Sequence, residues 1–361
     1  MSRVFNFNAG PAALPLPVLE QVREDLPEWH GCGMSVLEMS HRAEPFLSIA
    51  RQAGIDLRKL LGVPDGYHVL FMQGGATAQF AAVPMNLLGE HRSADYVVTG
   101  TWSQKAAEEC GKYGQARIAA RPADGRFTRV PPHAEWKLDP DAAYLHYTPN
   151  ETIAGVEFHW VPEGINVPLV ADFSSSFLSH PVDVKRFGLI YAGAQKNAGA
   201  AGITIVVVRK ELLDRKPLTQ LPKVLDYREM AARDSMMNTP PTFAWYVSGL
   251  VFRWLLDQGG LEGIAAVNAR KSGQLYDYID SEAFYVNPVD KTARSRMNVV
   301  FTLADAARDA DFLAGAKRAG LVGLKGHRSV GGMRASLYNA VPEEAVKTLV
   351  EYMREFARTH G

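Results

Sequence analysis

The sequence predicts an α/β fold in which a mostly parallel sheet, covered by helices, is followed by a small C-terminal α+β domain. Between about residues 65 and 210, short runs rich in Val, Ile, Leu and Tyr alternate with helical stretches, as in a parallel sheet with helical crossovers. The runs are continuously apolar, which is typical of strands buried on both faces. The 361 residues exceed the size at which one hydrophobic core keeps growing, so two domains are expected.

The apolar runs predict strands at residues 68–72, 96–99, 143–147, 168–171, 189–192 and 203–208. In a sheet of this kind, ligands bind at the carboxyl ends of the strands. The residues just after each run are therefore where we expect a site.

A domain boundary is predicted at Gly259-Gly260, which interrupt a long helix that begins near Pro241. Residues 16–260 would form the large domain, and residues 261–361, together with 1–15, the small one. In the small domain we expect a strand at 297–303, a helix ending near Ala319, a strand within GMRASLY and a final helix from about Pro342.

Composition excludes several classes of protein. With 39 basic and 39 acidic residues the formal net charge is zero, so bulk charge recruits no nucleic acid. The cysteines, Cys32 and Cys110, are too few for a disulfide framework or a thiolate metal cluster, and no metal site is expected. No run reaches the roughly 18 apolar residues of a membrane span, and the N-terminus lacks the apolar segment of a signal peptide. We therefore expect a cytoplasmic protein with no membrane partner.

Lys196 is the first candidate for chemistry, because it lies in a run of Ala and Gly between two predicted strands, LIYAGAQKNAGAAGITIVVVR. Small neighbours leave room for a ligand. A lysine at the carboxyl end of a buried strand is partly desolvated, which lowers its pKa and makes a free amine available for imine formation. The alternative is an ordinary surface lysine between two strands.

Asp172 is the second candidate, at the end of the apolar run in VPLVADFSSS and 24 residues before Lys196, and we expect it on a neighbouring strand. A carboxylate there can keep a pyridine nitrogen protonated and so make the ring an electron sink. The alternative is a helix N-cap, for which an Asp before Ser174 and Ser175 is well suited.

A phosphate site is predicted where GGATAQ follows the strand at 68–72 and opens a helical pattern. Backbone N–H groups and the dipole at a helix start favour a bound dianion. The segment matches neither the Walker A spacing nor G-x-G-x-x-G, which argues against a nucleotide.

Three further features follow predicted strands or lie among small residues. Trp102, after YVVTGT, can stack on a planar cofactor, with ordinary packing as the alternative. Thr152, in YTPNET, can donate a hydrogen bond to a phenolic oxygen, or be an ordinary turn residue. Basic residues cluster at His41-Arg42, at 325–328 and at Arg334, where arginine suits carboxylate or phosphate and a solvated face is the alternative.

Nine segments together resemble the phosphoserine aminotransferases, a family of class V pyridoxal-phosphate (PLP)-dependent aminotransferases. They are FNFNAGPAALP, EMSHR, GGATAQF, DYVVTGTWS, HYTPNETIAG, ADFSSSFLS, YAGAQKNAG, MMNTPPTFAWY and KGHRSVGGMRASLYNA, in order over nearly the whole chain. The resemblance implies PLP as cofactor and the PLP-dependent transferase fold type I, with a mixed, mostly parallel sheet of seven strands. It also implies a homodimer with shared active sites.

The resemblance further implies a reaction, the transfer of an amino group from L-glutamate to 3-phosphooxypyruvate, which gives 2-oxoglutarate and O-phospho-L-serine in serine biosynthesis. The 4-phosphooxy-threonine pair of pyridoxine biosynthesis would be a second substrate pair. Two positions depart from some members of the family, since this chain has Thr77 where they carry arginine and Ala9 where they carry serine.

Matching positions imply the role of each site residue. Lys196 would form the Schiff base and Asp172 would face the pyridine nitrogen. The other cofactor contacts would be Ala76, Thr77, Trp102, Thr152 and Gln195, with Asn238 and Thr239 from the second subunit. The substrate would be bound by Arg334 at its α-carboxylate and, at its phosphate or side-chain carboxylate, by His41, Arg42, His327 and Arg328, some of them across the dimer.

Other classes of protein remain as alternatives. A serine–pyruvate or alanine–glyoxylate aminotransferase would need no phosphate pocket, so the basic clusters argue against it. A cysteine desulfurase would need a nucleophilic cysteine in its C-terminal region, and this chain has cysteines at 32 and 110. A non-catalytic protein that binds PLP or a sugar phosphate cannot be separated by fold alone, and an amino-group transfer assay distinguishes it.

Overall fold

The structure is a computed structural model that describes residues 3–218 and 220–361. Its strands are β1 (Phe5–Asn6), β2 (Tyr67–Met72), β3 (Ser93–Val97), β4 (Gln115–Ala120), β5 (Leu145–Tyr147), β6 (Asn150–Glu151), β7 (Val156–Glu157), β8 (Leu169–Asp172), β9 (Leu189–Gly193), β10 (Thr204–Arg209), β11 (Tyr285–Val286), β12 (Asn298–Leu303), β13 (Leu321–Val322) and β14 (Met333–Ser336). Its helices are α1 (Leu16–Asp25), α2 (Glu44–Leu61), α3 (Gly75–Leu87), α4 (Thr101–Cys110), α5 (Tyr227–Ala231), α6 (Thr242–Asp257), α7 (Gly260–Ser281), α8 (Asp309–Arg318) and α9 (Glu343–His360).

The main sheet has seven strands in the order β2-β10-β9-β8-β5-β3-β4. Strand β10 is antiparallel to both of its neighbours, β2 and β9, whereas β9, β8, β5, β3 and β4 pair in parallel. The predicted α/β class with a mixed, mostly parallel sheet is therefore confirmed. Parallel order brings the carboxyl ends of β3, β5, β8 and β9 to one edge, which is where the candidate site lies.

Both faces of this sheet are covered, as the continuously apolar strands predict. Along β10, Ile205 and Val207 join a core with α2 and α6, while Val206 and Val208 join a second core with α3 and α4. Alternate side chains of a strand point to opposite faces, so a strand between two helical layers is apolar at every position.

Strand β4 (Gln115–Ala120) is absent from the sequence prediction. It is the edge strand of the sheet and pairs only with β3 among the described strands. Its sequence QARIAA mixes polar and apolar residues, and Ile118 is 40% exposed. A criterion of continuous apolarity finds buried strands and misses an edge strand of this kind.

Strand β3 (Ser93–Val97) begins and ends earlier than the prediction of 96–99. Asp95 interrupts the apolar pattern, although it is buried inside the sheet, where Arg117 and the backbone N–H of Asp139 satisfy its carboxylate. Thr99 lies beyond the strand, in the turn that leads into α4. A buried polar group with partners elsewhere in the chain cannot be recognised from local pattern.

The C-terminal part has its own core. A three-stranded sheet, β11-β12-β14, packs with α7, α8 and α9, and β1 near the N-terminus pairs in parallel with β13. The predicted helices of this part are present, and α6 ends at Asp257 while α7 begins at Gly260. The division into residues 16–260 and 261–361 stays a prediction.

No helix within residues 3–218 and 220–361 is both long and apolar enough to span a membrane.

Candidate active site

Lys196 lies in the turn that joins β9 to β10, half-buried at the edge of the main sheet. It lines a pocket whose described walls are Gly75, Ala76, Thr77, Trp102, Thr148, Asn150, Thr152, Asp172, Ser174, Ser175, Gln195 and Lys196. Its ammonium donates a hydrogen bond of 2.6 Å to Thr152 Oγ1 and lies 5.9 Å from the centroid of the Trp102 ring.

Burial lowers the pKa of Lys196 from 10.5 to about 8, although the carboxylates of Asp172 and Glu151 oppose that shift. The amine is therefore neutral in an appreciable fraction of molecules near neutral pH, as a nucleophile must be. The alternative of an ordinary surface lysine does not fit a residue on a pocket wall with these neighbours.

Small residues around Lys196 permit this arrangement. Gly199, in the same turn, has a φ of 152°, and a Cβ there would collide with Ser248 on α6. On the other side, the backbone N–H of Ala12 donates to the carbonyl of Gln195 at 2.9 Å, so the N-terminal segment packs against the lysine turn. The run of Ala and Gly thus allows close packing of backbone around the amine.

Asp172 ends β8, next to β9, and pairs in register with Tyr191. Its side chain is buried, and Oδ1 accepts a hydrogen bond of 2.9 Å from the backbone N–H of Ser174. Burial raises the pKa of Asp172, while Ser174 and the charge of Lys196 act in the opposite direction. Residues 174–178 form turns, so the alternative of a helix N-cap is wrong.

The predicted phosphate site is the start of α3, which follows β2 and lines the pocket. Gly74 has a left-handed φ of 90°, and a Cβ there would lie 2.5 Å from Ala78 Cβ, so the tight entry into the helix needs glycine. The first N–H groups of a helix have no partner within it. Those of Ala76 and Thr77 are available to an anion at the pocket wall.

Two buried polar atoms at the pocket have no hydrogen-bond partner within the described chain. They are Thr148 Oγ1, on the wall, and Trp102 Nε1, at the first turn of α4. A third, Arg334 Nε, belongs to a side chain whose Nη1 donates to the carbonyl of Thr152 at 3.3 Å. Buried polar atoms normally have partners, so these three indicate a ligand with polar groups.

Basic side chains contact two residues of the pocket wall, Trp102 and Thr152. Burial and the charges of Arg334, Arg328 and Lys105 lower the pKa of His327. Lys105 in turn lies 5.0 Å from the Trp102 ring. Of the predicted substrate residues, Arg334 contacts the pocket wall directly, through its hydrogen bond to the carbonyl of Thr152.

Seven predicted residues lie outside the described walls of this pocket: His41, Arg42, Asn238, Thr239, His327, Arg328 and Arg334. His41 and Arg42 are in contact with each other, with Arg42 Nε 3.3 Å from His41 Nε2. Asn238 and Thr239 are exposed, and both accept hydrogen bonds of 3.3 Å from Gln73 Nε2. The resemblance assigns Asn238 and Thr239, and some of the basic residues, to a second subunit, and that assignment stays a prediction.

Sequence reasoning missed four polar residues of the pocket wall: Thr148, Asn150, Ser174 and Ser175. All four lie within three residues after β5 or β8, in the segments YTPNET and ADFSSS. The expectation that chemistry lies just after each strand could have found them. Local pattern does not tell which side chain of such a segment points into the pocket.

Comparison with known proteins defines the class. The chain matches the family profile Aminotransferase class-V over residues 4–349. It therefore belongs to the class V aminotransferases and is a PLP-dependent transaminase.

Individual relatives belong to a narrower group than the family profile describes. This chain is 56% identical to the phosphoserine aminotransferase of Nitrosomonas europaea, with 100% of both chains covered, and 58% identical to that of Acidithiobacillus ferrooxidans, with 99% of both covered. The solved phosphoserine aminotransferase of Bacillus circulans subsp. alkalophilus is 46% identical with a TM-score of 0.97, covering 99% of each chain. The PLP-bound enzyme of Trichomonas vaginalis is 42% identical with a TM-score of 0.94, covering 98% of this chain and 100% of that one. The predicted fold and cofactor are confirmed.

The residues of the pocket fit PLP. Lys196 supplies an amine for the aldehyde of PLP, Asp172 a buried carboxylate for its pyridine nitrogen, and the start of α3 N–H groups for its phosphate. The ring of Trp102 can cover a face of the cofactor, and the hydroxyl of Thr152 can contact its phenolic oxygen. The unpartnered Thr148 Oγ1 is a further polar contact for a ligand of this kind. This complementarity is a property of the donor set and independent of the relatives.

The lowered pKa of Lys196 predicts how the protein without cofactor captures PLP. Only the neutral amine attacks an aldehyde, so the rate should rise about tenfold per pH unit below the pKa of about 8 and level off above it. An ordinary lysine would continue to accelerate toward pH 10.5. Stopped-flow absorbance between pH 6 and 10 measures the profile, and a rate still climbing tenfold per unit above pH 9 would contradict it.

Proposed function

We propose that this enzyme transfers the amino group of L-glutamate to 3-phosphooxypyruvate, with O-phospho-L-serine and 2-oxoglutarate as products. One observation carries the proposal: Lys196 and Asp172 line the same pocket, and Arg334 donates a hydrogen bond to the carbonyl of Thr152 on its wall. Full-length relatives named phosphoserine aminotransferase support this choice of substrates. The 4-phosphooxy-threonine pair has the same phosphate and amino-acid groups, and we propose it as a second substrate pair.

PLP, when bound, supplies an aldehyde that condenses with amines and a ring that withdraws electrons from the substrate Cα. The Lys196 amine is the group that moves the proton at Cα, because it lies at the pocket wall with a lowered pKa. Thr152 orients that amine through the hydrogen bond of 2.6 Å. Asp172 would hold a proton at the ring nitrogen, and the start of α3 would bind the phosphate through Ala76 and Thr77.

Substrate recognition requires two anionic groups to be bound at once. Arg334, with an unpartnered Nε near Thr152, takes the α-carboxylate. The anionic group at the other end of the substrate is a carboxylate in glutamate and a phosphate in phosphoserine. It would be bound by His327, Arg328, His41 and Arg42. A cluster of several separate cations accepts both because each can adjust to the shape of the anion.

We infer that the working form is a homodimer. In the single chain Asn238, Thr239, His41 and Arg42 lie outside the walls of the Lys196 pocket. A second subunit that places Asn238 and Thr239 at the cofactor phosphate, and His41 and Arg42 at the substrate, would complete the site. A cytoplasmic location stays a prediction.

The proposed reaction is tested by spectroscopy and by assay. The purified protein with PLP should absorb near 400 nm, and this band should decrease when glutamate is added and return with 3-phosphooxypyruvate. Coupled assays should show that pyruvate and glyoxylate are poor acceptors in place of 3-phosphooxypyruvate. A band that does not respond to glutamate would favour a non-catalytic PLP-binding protein, and equal rates with glyoxylate would contradict the phosphate site.

Replacement of Arg42 by alanine should lower kcat/KM for O-phosphoserine by roughly 10- to 100-fold, since a hydrogen bond to a charged group contributes about 1.5–3 kcal/mol. The loss for L-alanine, which carries no phosphate, should be smaller. Arg358→Ala is the control, because Arg358 is an exposed arginine of α9 paired with Glu355. Equal losses for both substrates would remove Arg42 from the phosphate site.

A further inference from the structure

A fully buried carboxylate lies behind Trp102. Glu151 is 0% exposed, at the end of β6 and next to Thr152. Its Oε2 accepts a hydrogen bond of 3.0 Å from the backbone N–H of Trp102. Its Oε1 accepts two more from Ser103, of 2.8 Å from the backbone N–H and 2.6 Å from Oγ. Glu151 therefore holds the first turn of α4 from outside the helix.

Helix α4 lacks its own means of satisfying these N–H groups. The residue before it is Gly100, which has no side chain, and the first turn contains no acidic residue. A Cβ at Gly100 would collide with the Glu151 carboxylate, so the carboxylate occupies the space where the side chain of a helix cap would begin. A residue from a distant strand thus performs the task that an N-cap residue normally performs.

The same carboxylate organises the turn before the helix. Ser103 Oγ, which donates to Glu151, also accepts hydrogen bonds from the backbone N–H groups of Thr99, at 3.0 Å, and Gly100, at 3.1 Å. Charge-assisted hydrogen bonds of this kind are stronger than neutral ones. Glu151 and Ser103 therefore hold the backbone between the end of β3 and Trp102 in place.

The segment that carries Glu151 also contacts Lys196, the proposed catalytic lysine. Thr152, directly after Glu151, accepts the hydrogen bond from Lys196. Asn150, directly before Glu151, donates hydrogen bonds of 2.8 Å to Ser175 Oγ and to Asn298 Oδ1. These two bonds hold the hairpin formed by β6 and β7 in place. Glu151 thus joins two separate elements, one that carries Thr152 and one that carries Trp102.

No protein group among residues 3–218 and 220–361 holds the indole ring of Trp102 by a hydrogen bond. Trp102 Nε1 is buried and without a partner in the described part of the chain. The orientation of the ring therefore depends on the backbone at Trp102 and on the packing around it. A small movement of that backbone would tilt the ring relative to anything that it covers.

We infer that Glu151 is a positioning residue that fixes the Trp102 ring against the face of PLP. The inference rests on the proposed role of Trp102 and adds a residue with no contact to the cofactor. Glutamine at 151 would place an amide donor among the N–H groups that the carboxylate accepts from, and so would displace the first turn of α4.

The test uses the PLP-loaded enzyme and Glu151→Gln. We expect the visible circular dichroism of the bound cofactor to fall by about half and the dissociation constant of PLP to rise roughly tenfold. The matched control is Glu157→Gln, on the paired strand β7. Glu157 is 2% exposed and accepts hydrogen bonds of 2.7 and 2.9 Å from Arg296, so its loss should lower the Tm without changing the cofactor signals.

Trp102→Phe separates the inference from the proposed role of Trp102. If Glu151 acts through Trp102, Glu151→Gln should have little further effect on PLP affinity or dichroism in the Trp102→Phe background. Additive effects would overturn the inference. If Trp102→Phe alone leaves both signals unchanged, the stacking role itself fails.

Glu151→Asp provides a second variant, because it keeps the charge and shortens the side chain by one methylene. It should change the dichroism and the PLP dissociation constant in the same direction as Glu151→Gln but by less. If a folded variant of Glu151 has a lowered Tm but wild-type dichroism and PLP affinity, then Glu151 only stabilises the fold. That result would overturn the inference.

Discussion

Replacement of Lys196 by alanine should reduce amino-group transfer by roughly 10⁴-fold or more, because it removes both the covalent attachment of PLP and the group that moves the proton at Cα. The absorption band near 400 nm should disappear at the same time. Turnover of glutamate with 3-phosphooxypyruvate and the visible spectrum of the dialysed protein measure the two effects.

The control for Lys196 is Lys210→Ala. Lys210 is an exposed lysine directly after β10, outside the pocket walls. It should retain wild-type turnover and spectrum. Normal transamination by Lys196→Ala would contradict the assignment of the catalytic amine, and with it the proposed mechanism.

Replacement of Asp172 by asparagine should lower kcat by about 100-fold or more, the range that follows loss of one preorganised electrostatic group in an active site. Asparagine keeps the size of the side chain and can still accept the hydrogen bond from Ser174, so the fold should survive. What is lost is the negative charge that holds a proton at the ring nitrogen. Single-turnover kinetics with glutamate measure this step directly.

Asp95→Asn is the matched control for Asp172→Asn. Asp95 is a fully buried aspartate of the same sheet, on β3, and pairs with Arg117. Its loss should lower the Tm, because the partners of a buried carboxylate lose their acceptor, and should leave kcat within a few-fold of wild type. Wild-type kcat in Asp172→Asn would mean that the ring nitrogen does not depend on this carboxylate.

Much of the cofactor site could be predicted from local sequence. Asp172 ends β8, and Lys196, Thr152 and Trp102 lie within five residues after β9, β5 and β3. In a parallel sheet the carboxyl ends of neighbouring strands meet at one edge. The predicted strand positions and this topological rule are therefore sufficient to predict that these four residues lie close together. Edge strand β4 was missed because its outer positions are polar.

Glu151 could not be predicted in this way. Its segment, YTPNET, attracts attention through Thr152, and nothing in it indicates that the neighbouring carboxylate is directed at α4. The matching feature, Gly100, is 51 residues earlier in the chain. A hydrogen bond between such distant segments is decided by the packing of the whole sheet.

The sequence by itself determined the class of fold, the cofactor chemistry and the residues that meet at the strand ends, because these depend on short-range periodicity and on motifs of adjacent residues. The tertiary structure alone decided which carboxylates are buried, which hydroxyl orients Lys196 and what holds Trp102. Those properties depend on desolvation and on hydrogen bonds between segments far apart in the chain, and both arise only when the strands and helices pack together.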